Sequence, residues 1–207
     1  MAARARVAPS VATAVVAALA LLAGCRTVPP PAPAVIGPGA DAPWPEQYAA
    51  LAGLERYALT GRVAVAANGQ GFSANLRYRQ QPQRADLSLD GPMGIGGMRM
   101  EFSDRDLSVT NSRGETLDGE AARAELENRL GFVLPLADLR WWLLGVPSPG
   151  TPATRNEPAG GPIADFQQNG WHVSINSRAP GLGFSLPARL TVEREGARMK
   201  LLVESWQ

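Results

Sequence analysis

Residues 72–79 read FSANLRYR. Phe72, Ala74, Leu76 and Tyr78 alternate with Ser73, Asn75, Arg77 and Arg79, so an extended chain here has one dry and one wet face. The same two-residue period returns where Leu87 and Leu89 alternate with Asp86, Ser88 and Asp90, and where Met98, Met100 and Phe102 alternate with Arg99, Glu101 and Ser103. Further strands are expected from Tyr57 to Ala67, Leu107 to Asn111, Ile163 to Gln168, Trp171 to Asn176, Ala188 to Glu195 and Arg198 to Trp206. Turn signals stand at Asn68-Gly69, Asn169-Gly170 and Glu195-Gly196. Short gaps between successive strands require antiparallel hairpins. So many amphipathic strands in one modest domain predict a mainly β fold, a strongly curved antiparallel sheet or barrel.

The middle of the chain breaks this rhythm. Asp118 is placed to cap a helix carrying Ala122, Leu126 and Leu130 at fourfold spacing, with Gly131 as its stop. A second helix is expected from Pro135 through Leu136, Leu139, Trp142 and Leu143 to Gly145. Two short amphipathic helices between sets of strands can hide their apolar faces over the concave side of the sheet, as a lid or plug. Val146 to Pro162, rich in Pro and Gly and without periodicity, reads as a mobile surface loop.

The chain has 207 residues, 45% hydrophobic and 19% charged, which suits one domain with appendages. Its formal net charge of +1 gives no electrostatic basis for binding nucleic acid. Arg4 and Arg6, an apolar run from Val11 to Leu22 and the ending Leu22-Ala23-Gly24-Cys25 form an export signal resembling a bacterial lipobox, in which the signal is cut before the Cys and that Cys is acylated. The uncharged stretch from Val7 to Cys25 also approaches the length of an uncleaved membrane anchor, and Cys25 read alone is an ordinary thiol. The combined pattern favours the lipoprotein signal. Cys25 is the only Cys, so no internal disulfide can form. Arg26, where Asp would favour retention at the inner membrane, points to the outer membrane. The expected organisation is a signal peptide over residues 1–24, a lipidated Cys with a Pro/Gly-rich tether over 25–45, and a barrel domain over 46–207. A short helix from Glu46 to Leu54 is expected to turn Tyr48, Leu51 and Ala52 to one side.

Catalytic chemistry finds little support. A nucleophile needs a base beside it, and the single His172 alternates with Trp171 and Val173, which places it on the wet face as a solvated side chain. One Cys and one His at no ligand spacing give no metal site, and no cofactor motif is present. Converging carboxylates leave no local motif and stay open. The segment GPMGIGGMRM, residues 91–100, resembles a phosphate cradle only loosely, since a strand and not a helix follows it. Its apolar residues either fold back into the core or meet something apolar outside. Trp141-Trp142 reads as the core and rim of a helix.

Several stretches together resemble the LolB family of outer-membrane lipoprotein receptors: YALTGRVAV from Tyr57, LDGPMGIGG from Leu89, GFVLPLADLRWWLLGVP from Gly131, FQQNGWHV from Phe166, LPARLTV from Leu186 and MKLLVESW from Met199. They occur in the family's order behind the lipobox. The resemblance implies an incompletely closed antiparallel β-barrel with short helices as a lid over an apolar cavity. It implies no enzyme and no cofactor, but a monomer anchored to the outer membrane and facing the periplasm. Such a protein takes acylated lipoproteins from the periplasmic carrier LolA and inserts them among outer-membrane lipids in the inner leaflet without ATP; a similar fold serving another lipid or acyl ligand is the alternative. Met93, where the family commonly has Leu, would be the membrane-insertion residue, with Ile95 deepening the contact. Leu76, Leu89, Met100, Leu139, Trp142 and Leu143 are the residues expected at the acyl-chain cavity and lid.

Overall fold

The structure, a computed structural model, describes residues 36–91 and 97–207. The expected signal peptide, Cys25, most of the tether, and Met93 and Ile95 lie outside the described residues.

Eleven strands form one antiparallel sheet, curved but not closed. They are β1 (Tyr57–Ala67), β2 (Gln70–Gln80), β3 (Ala85–Asp90), β4 (Met98–Phe102), β5 (Leu107–Asn111), β6 (Thr116–Asp118), β7 (Thr154–Asn156), β8 (Asp165–Gln168), β9 (Trp171–Gly181), β10 (Phe184–Arg194) and β11 (Ala197–Trp206). The spatial order is β6-β5-β4-β3-β2-β1-β11-β10-β9-β8-β7. Every neighbour but one is the next strand in sequence; the pairing of β1 with β11 joins the two halves. The edge strands β6 and β7 have three residues each, which leaves little ladder for another chain to extend. Three helices complete the fold: α1 (Trp44–Ala52), α2 (Gly119–Leu130) and α3 (Leu136–Trp142).

The two-residue period survives folding. In β1 the burial alternates from Tyr57 through Leu59, Val63 and Val65, and in β4 Met98, Met100 and Phe102 are buried while Arg99 and Glu101 are exposed. Opposite charges meet on the wet face, as in Arg62–Glu204 at 2.8 Å and Arg198–Glu193 at 2.6 Å. Such solvated pairs add little stability.

Several boundaries differ from the sequence expectation. β9 runs on to Gly181 and β10 starts at Phe184, around a turn at Leu182-Gly183 in which Leu182 has φ 53°. Pro180, Gly181, Gly183 and Pro187 fall where the sequence reading places no strand. The ladder shifts register beside Pro187, and such a bulge is where a strand tolerates proline. Val146 to Pro162 is not wholly a surface loop, since Val146 and Ser148 are buried and Thr154–Asn156 is strand. Asp118 occupies the cap position of α2 but makes no side-chain capping bond, whereas Gly131 ends the helix in the left-handed conformation at φ 78°.

Helix α1 begins two residues earlier than expected and buries Trp44, Gln47 and Leu51, leaving Tyr48 and Ala52 only partly covered. Gln47 is satisfied by Ala40 O at 3.0 Å, Ala42 O at 2.7 Å and the Ser185 N–H at 2.8 Å. The chain before the helix lies along the β9–β10 turn, where the N–H groups of Ile36 and Gly37 bond to Leu182 O and that of Gly39 to Gly183 O. Arg178 donates to Ser185 O and Ile163 O and lies 4.8 Å from the Trp44 ring; burial pulls its pKa down to about 10, so it is still a cation at neutral pH. One apolar core runs from Trp44 to Val203.

Gly61 shows how closely the two halves join. A Cβ there would lie 2.1 Å from Leu202 O, beside the register shift at Thr60/Gly61. Gly61→Ala should lower the unfolding free energy of the mature chain by about 3 kcal/mol, measured as a lower urea midpoint. An unchanged midpoint would show that β11 moves aside without cost.

Candidate functional site

The register of the strands composes the concave face. Val192, Met199, Val65 and Phe72 stand opposite one another across β10, β11, β1 and β2, and Leu190, Leu201, Val63 and Ala74 form the next row. On the other half Leu76 faces Leu89, and Tyr78, Leu87, Met100 and Val109 make a row across β2 to β5. This surface is apolar because nearly every inward position of these strands is apolar, buried Gln80 at the end of β2 being an exception, which is the alternation of the sequence seen in three dimensions.

Between this face and the helices lies an apolar cavity of about 60 Å³. Leu76 and Leu89 line it from the sheet, Leu139 and Leu143 from α3 and the turn after it, Leu130 from the end of α2 and Leu134 from the α2–α3 linker. Val63, Val65, Leu87, Leu190, Val192, Met199 and Leu201 complete the wall. Two of the expected cavity residues lie elsewhere. Met100 is fully buried in the sheet row between Leu87 and Val109 and does not line the cavity. Trp142 turns away from it, packing on Phe166 at 6.3 Å and Trp171 at 6.5 Å. The apolar stripe of α3 is wide enough to touch two surfaces, and helical spacing alone does not say which residue meets which. Sequence reasoning missed Leu130 and Leu134 as wall residues; Leu130 carried the fourfold spacing, while Leu134 lies in a linker without period.

Helix α3 is fastened along its length. Tyr57 OH donates to Arg140 O at 2.5 Å, and burial raises the Tyr57 pKa, which keeps the hydroxyl protonated. Arg140 Nη2 donates to Leu54 O at 3.1 Å and Trp141 Nε1 to Ala52 O at 3.3 Å. Asp138 accepts from Ser148 Oγ at 2.5 Å and Asn169 Nδ2 at 2.8 Å. Gln168, almost fully buried, links the helix to β8: its Oε1 accepts from Trp142 Nε1 at 2.8 Å and the Ser148 N–H at 2.9 Å, and its Nε2 donates to Ser148 O and Thr151 O at 2.9 Å each. Among the described residues Arg140 Nε is the one buried side-chain polar atom without a partner, and buried groups otherwise so paired fix one geometry. Helix α2 differs. It buries only Ala122, Leu126 and Leu130 and packs on β5 and β6. Its ion pairs, Arg129–Glu125 and Arg123–Glu120, lie within the helix. Among the described residues no side chain of α2 hydrogen-bonds to the sheet; the bond from Asn68 Nδ2 to Gly131 O at 3.0 Å holds only its end.

The remaining candidates carry no comparable site. His172 is half-exposed, with Nε2 3.1 Å from Asp165 Oδ1 and Nδ1 3.8 Å from Glu193 Oε1, so it is paired on the wet face and not simply solvated. Hydrogen bonds from Asn156 and His172 hold the Asp165 carboxyl below its ordinary range. A more voluminous concavity, about 990 Å³, lies between the β2–β3 and β4–β5 turns and α3, lined by Arg84, Arg105, Arg140, Glu101, Asp104 and Asp106 among others. It is an open groove of mixed charge, unsuited to apolar chains. No group of three or more His, Cys, Asp or Glu that could hold a metal occurs among the described residues.

A family model described as "Outer membrane lipoprotein LolB" matches residues 55–206. The chain is 29% identical over 187 residues to a protein of Stutzerimonas stutzeri named outer-membrane lipoprotein LolB, covering 90% of each. Proteins of that name from Nitrosococcus oceani and Pseudomonas aeruginosa are 28% and 29% identical, over 91% and 92% of this chain and 93% and 92% of theirs. Among solved structures, a LolA superfamily protein from Nitrosomonas europaea is similar at a TM-score of 0.47 and 12% identity, covering 74% of this chain and 86% of that one.

Gln168→Leu would leave the Trp142 and Ser148 donors and two carbonyls unpaired in the interior. At about 1–3 kcal/mol for each buried group left unsatisfied, an overall loss of at least about 4 kcal/mol in unfolding free energy is expected. A loss below about 1 kcal/mol would mean that water or rearrangement replaces these bonds.

Proposed function

Because the chain belongs to the LolB family, we propose that it accepts acylated lipoproteins from the periplasmic carrier LolA and places them in the inner leaflet of the outer membrane without ATP. The apolar cavity beneath α2 and α3 carries this reading. Lined by aliphatic side chains of both layers, it offers an acyl chain the environment that water denies it. Direction needs no energy source if the carrier holds the chains less tightly than this protein, and the bilayer more tightly still. In this reading Cys25 carries the lipid anchor, the monomer faces the periplasm, and Met93 and Ile95 enter the membrane interface, where each buried methylene contributes about 0.8 kcal/mol.

At about 60 Å³ the cavity falls far below the roughly 300–1,000 Å³ of ordinary ligand pockets. Uptake therefore requires opening. The fastening of α3 assigns the movement to α2, so that Leu139 and Leu143 are a fixed wall and Leu126 and Leu130 the part that lifts. Truncating the wall, as in Leu139→Ala, should weaken retention of cargo.

Transfer is tested by mixing the soluble form beginning at Arg26 with LolA loaded with an acylated lipoprotein, and then adding vesicles. Cargo should move to this protein and on to the vesicles, with Met93→Glu slowing only the second step. Cargo that stays on a carrier shown to be competent would overturn the reading and favour a protein of the same fold serving another lipid. Hydrogen exchange tests the moving part: amides of Ala122–Leu130 should exchange faster than those of Leu139–Trp142. The reverse order would make α3 the lid.

A further inference from the structure

Two of the largest exposed apolar side chains stand at one end of the sheet, and both continue the cavity wall. Phe72 belongs to the row of Val192, Met199 and Val65, three residues that line the cavity. It is 39% exposed, and β3 pairs with β2 only from Asn75 onward, so among the described residues no strand partner stands beside Phe72 on that flank of the ladder. Val133 is 57% exposed and sits between Phe132, buried against Trp171, and the cavity residue Leu134. The bond from Asn68 to Gly131 O brings the α2–α3 linker to the β1–β2 turn.

The charge distribution names the environment this end suits. Residues 63–76, which hold the β1–β2 turn, contain no charged side chain, and neither do residues 130–137 around the linker. Charge at this end sits in other turns, Arg113 and Glu115 between β5 and β6 and Arg194 and Glu195 between β10 and β11, while the turns at the opposite end carry Arg84, Asp104, Arg105 and Asp106. The β10–β11 turn, with its Arg194 and Glu195, lies beside the β1–β2 turn, so only the local patch is uncharged; that patch, bearing an exposed Phe and an exposed Val, fits the interfacial region of a bilayer, where burying apolar surface is favourable and burying charge is costly. The anchor can reach the same membrane. Ile36 is the eleventh residue after Cys25, so the intervening chain extends up to about 35 Å, which matches the length of the eleven-residue β1 at about 3.3 Å per residue.

We propose that the β1–β2 turn and the α2–α3 linker form a bilayer-contacting rim, with Phe72 and Val133 entering the lipid interface and acyl chains leaving the cavity between them. This deepens the proposed function and rests on it for the passage of cargo. The membrane contact itself stands on described residues alone. Opening of α2 widens this same gap, because its last residue, Leu130, lies next to the linker. Chains would then pass from one apolar wall to the next without crossing water.

The soluble form beginning at Arg26, after Cys25, has no Cys, so Val133→Cys, Phe72→Cys and Arg105→Cys each accept a single environment-sensitive fluorophore. On adding phosphatidylethanolamine–phosphatidylglycerol vesicles, without cargo, labels at 133 and 72 should shift to the blue and the label at 105 should not. No shift at 133 and 72, or an equal one at 105, would overturn the proposed rim. Val133→Asp, at a site exposed enough to fold normally, should leave uptake from the carrier unchanged and slow release into vesicles about tenfold. Normal release from this variant would place the exit elsewhere while leaving the receptor reading intact. Failure of uptake by the unsubstituted chain would instead strike at the receptor reading, and the vesicle-only shift would still decide the membrane contact.

Discussion

A sheet that curls without closing leaves an apolar concave face that water must not reach. A closed barrel of small diameter fills its own interior with side chains, but here the two edge strands end far apart in the strand order, and rows such as Val192–Met199–Val65 need a covering from outside the sheet. Helices α2 and α3 supply it. The covering is not a perfect fit, and the residual cavity between the aliphatic layers is where binding becomes possible.

The two helices meet this demand by different means. Trp141, Trp142 and the main chain of Arg140 are tied to α1, β8 and β1 by hydrogen bonds inside the protein, so moving α3 would strip buried donors and acceptors of their partners. Moving α2 would expose three apolar side chains and break few polar contacts. A fold that hides an apolar face yet must present it to a ligand benefits from this division between a rigid wall and a lightly held cover. Membership of the LolB family gives the division a purpose, because an acyl chain is a ligand that must be sheltered at every stage of its passage.

Much of this was legible in the sequence where one physical rule dominated. Alternation placed β1, β4 and β5 within a residue or two of their observed bounds, and strand parity put Leu76 and Leu89 on the concave face. Legibility failed where local and tertiary preferences conflict. No strand is expected from the sequence over Pro180–Pro187, whose glycines and prolines weaken the alternation, yet a bulge and a tight turn absorb them into a long hairpin. The burial of Gln47 and Gln168 is not read from the sequence, since nothing local marks a polar side chain that also bonds to Ser185, 138 residues away, or to Trp142, 26 residues away. Val133 and Phe72 were visible as apolar residues, but their shared position depends on the Asn68–Gly131 contact, which no period encodes.

The claim on which the rest depends is that acyl chains occupy the space between the concave face and α2–α3. A lipopeptide carrying a photoactivatable diazirine in its acyl chain, bound to the mature chain and irradiated, would report that location by peptide mapping. The account predicts adducts on Leu134, Leu139, Met199 or their neighbours in the wall. Adducts confined to the outer face of the sheet, or to the charged groove beside the β4–β5 turn, would contradict it.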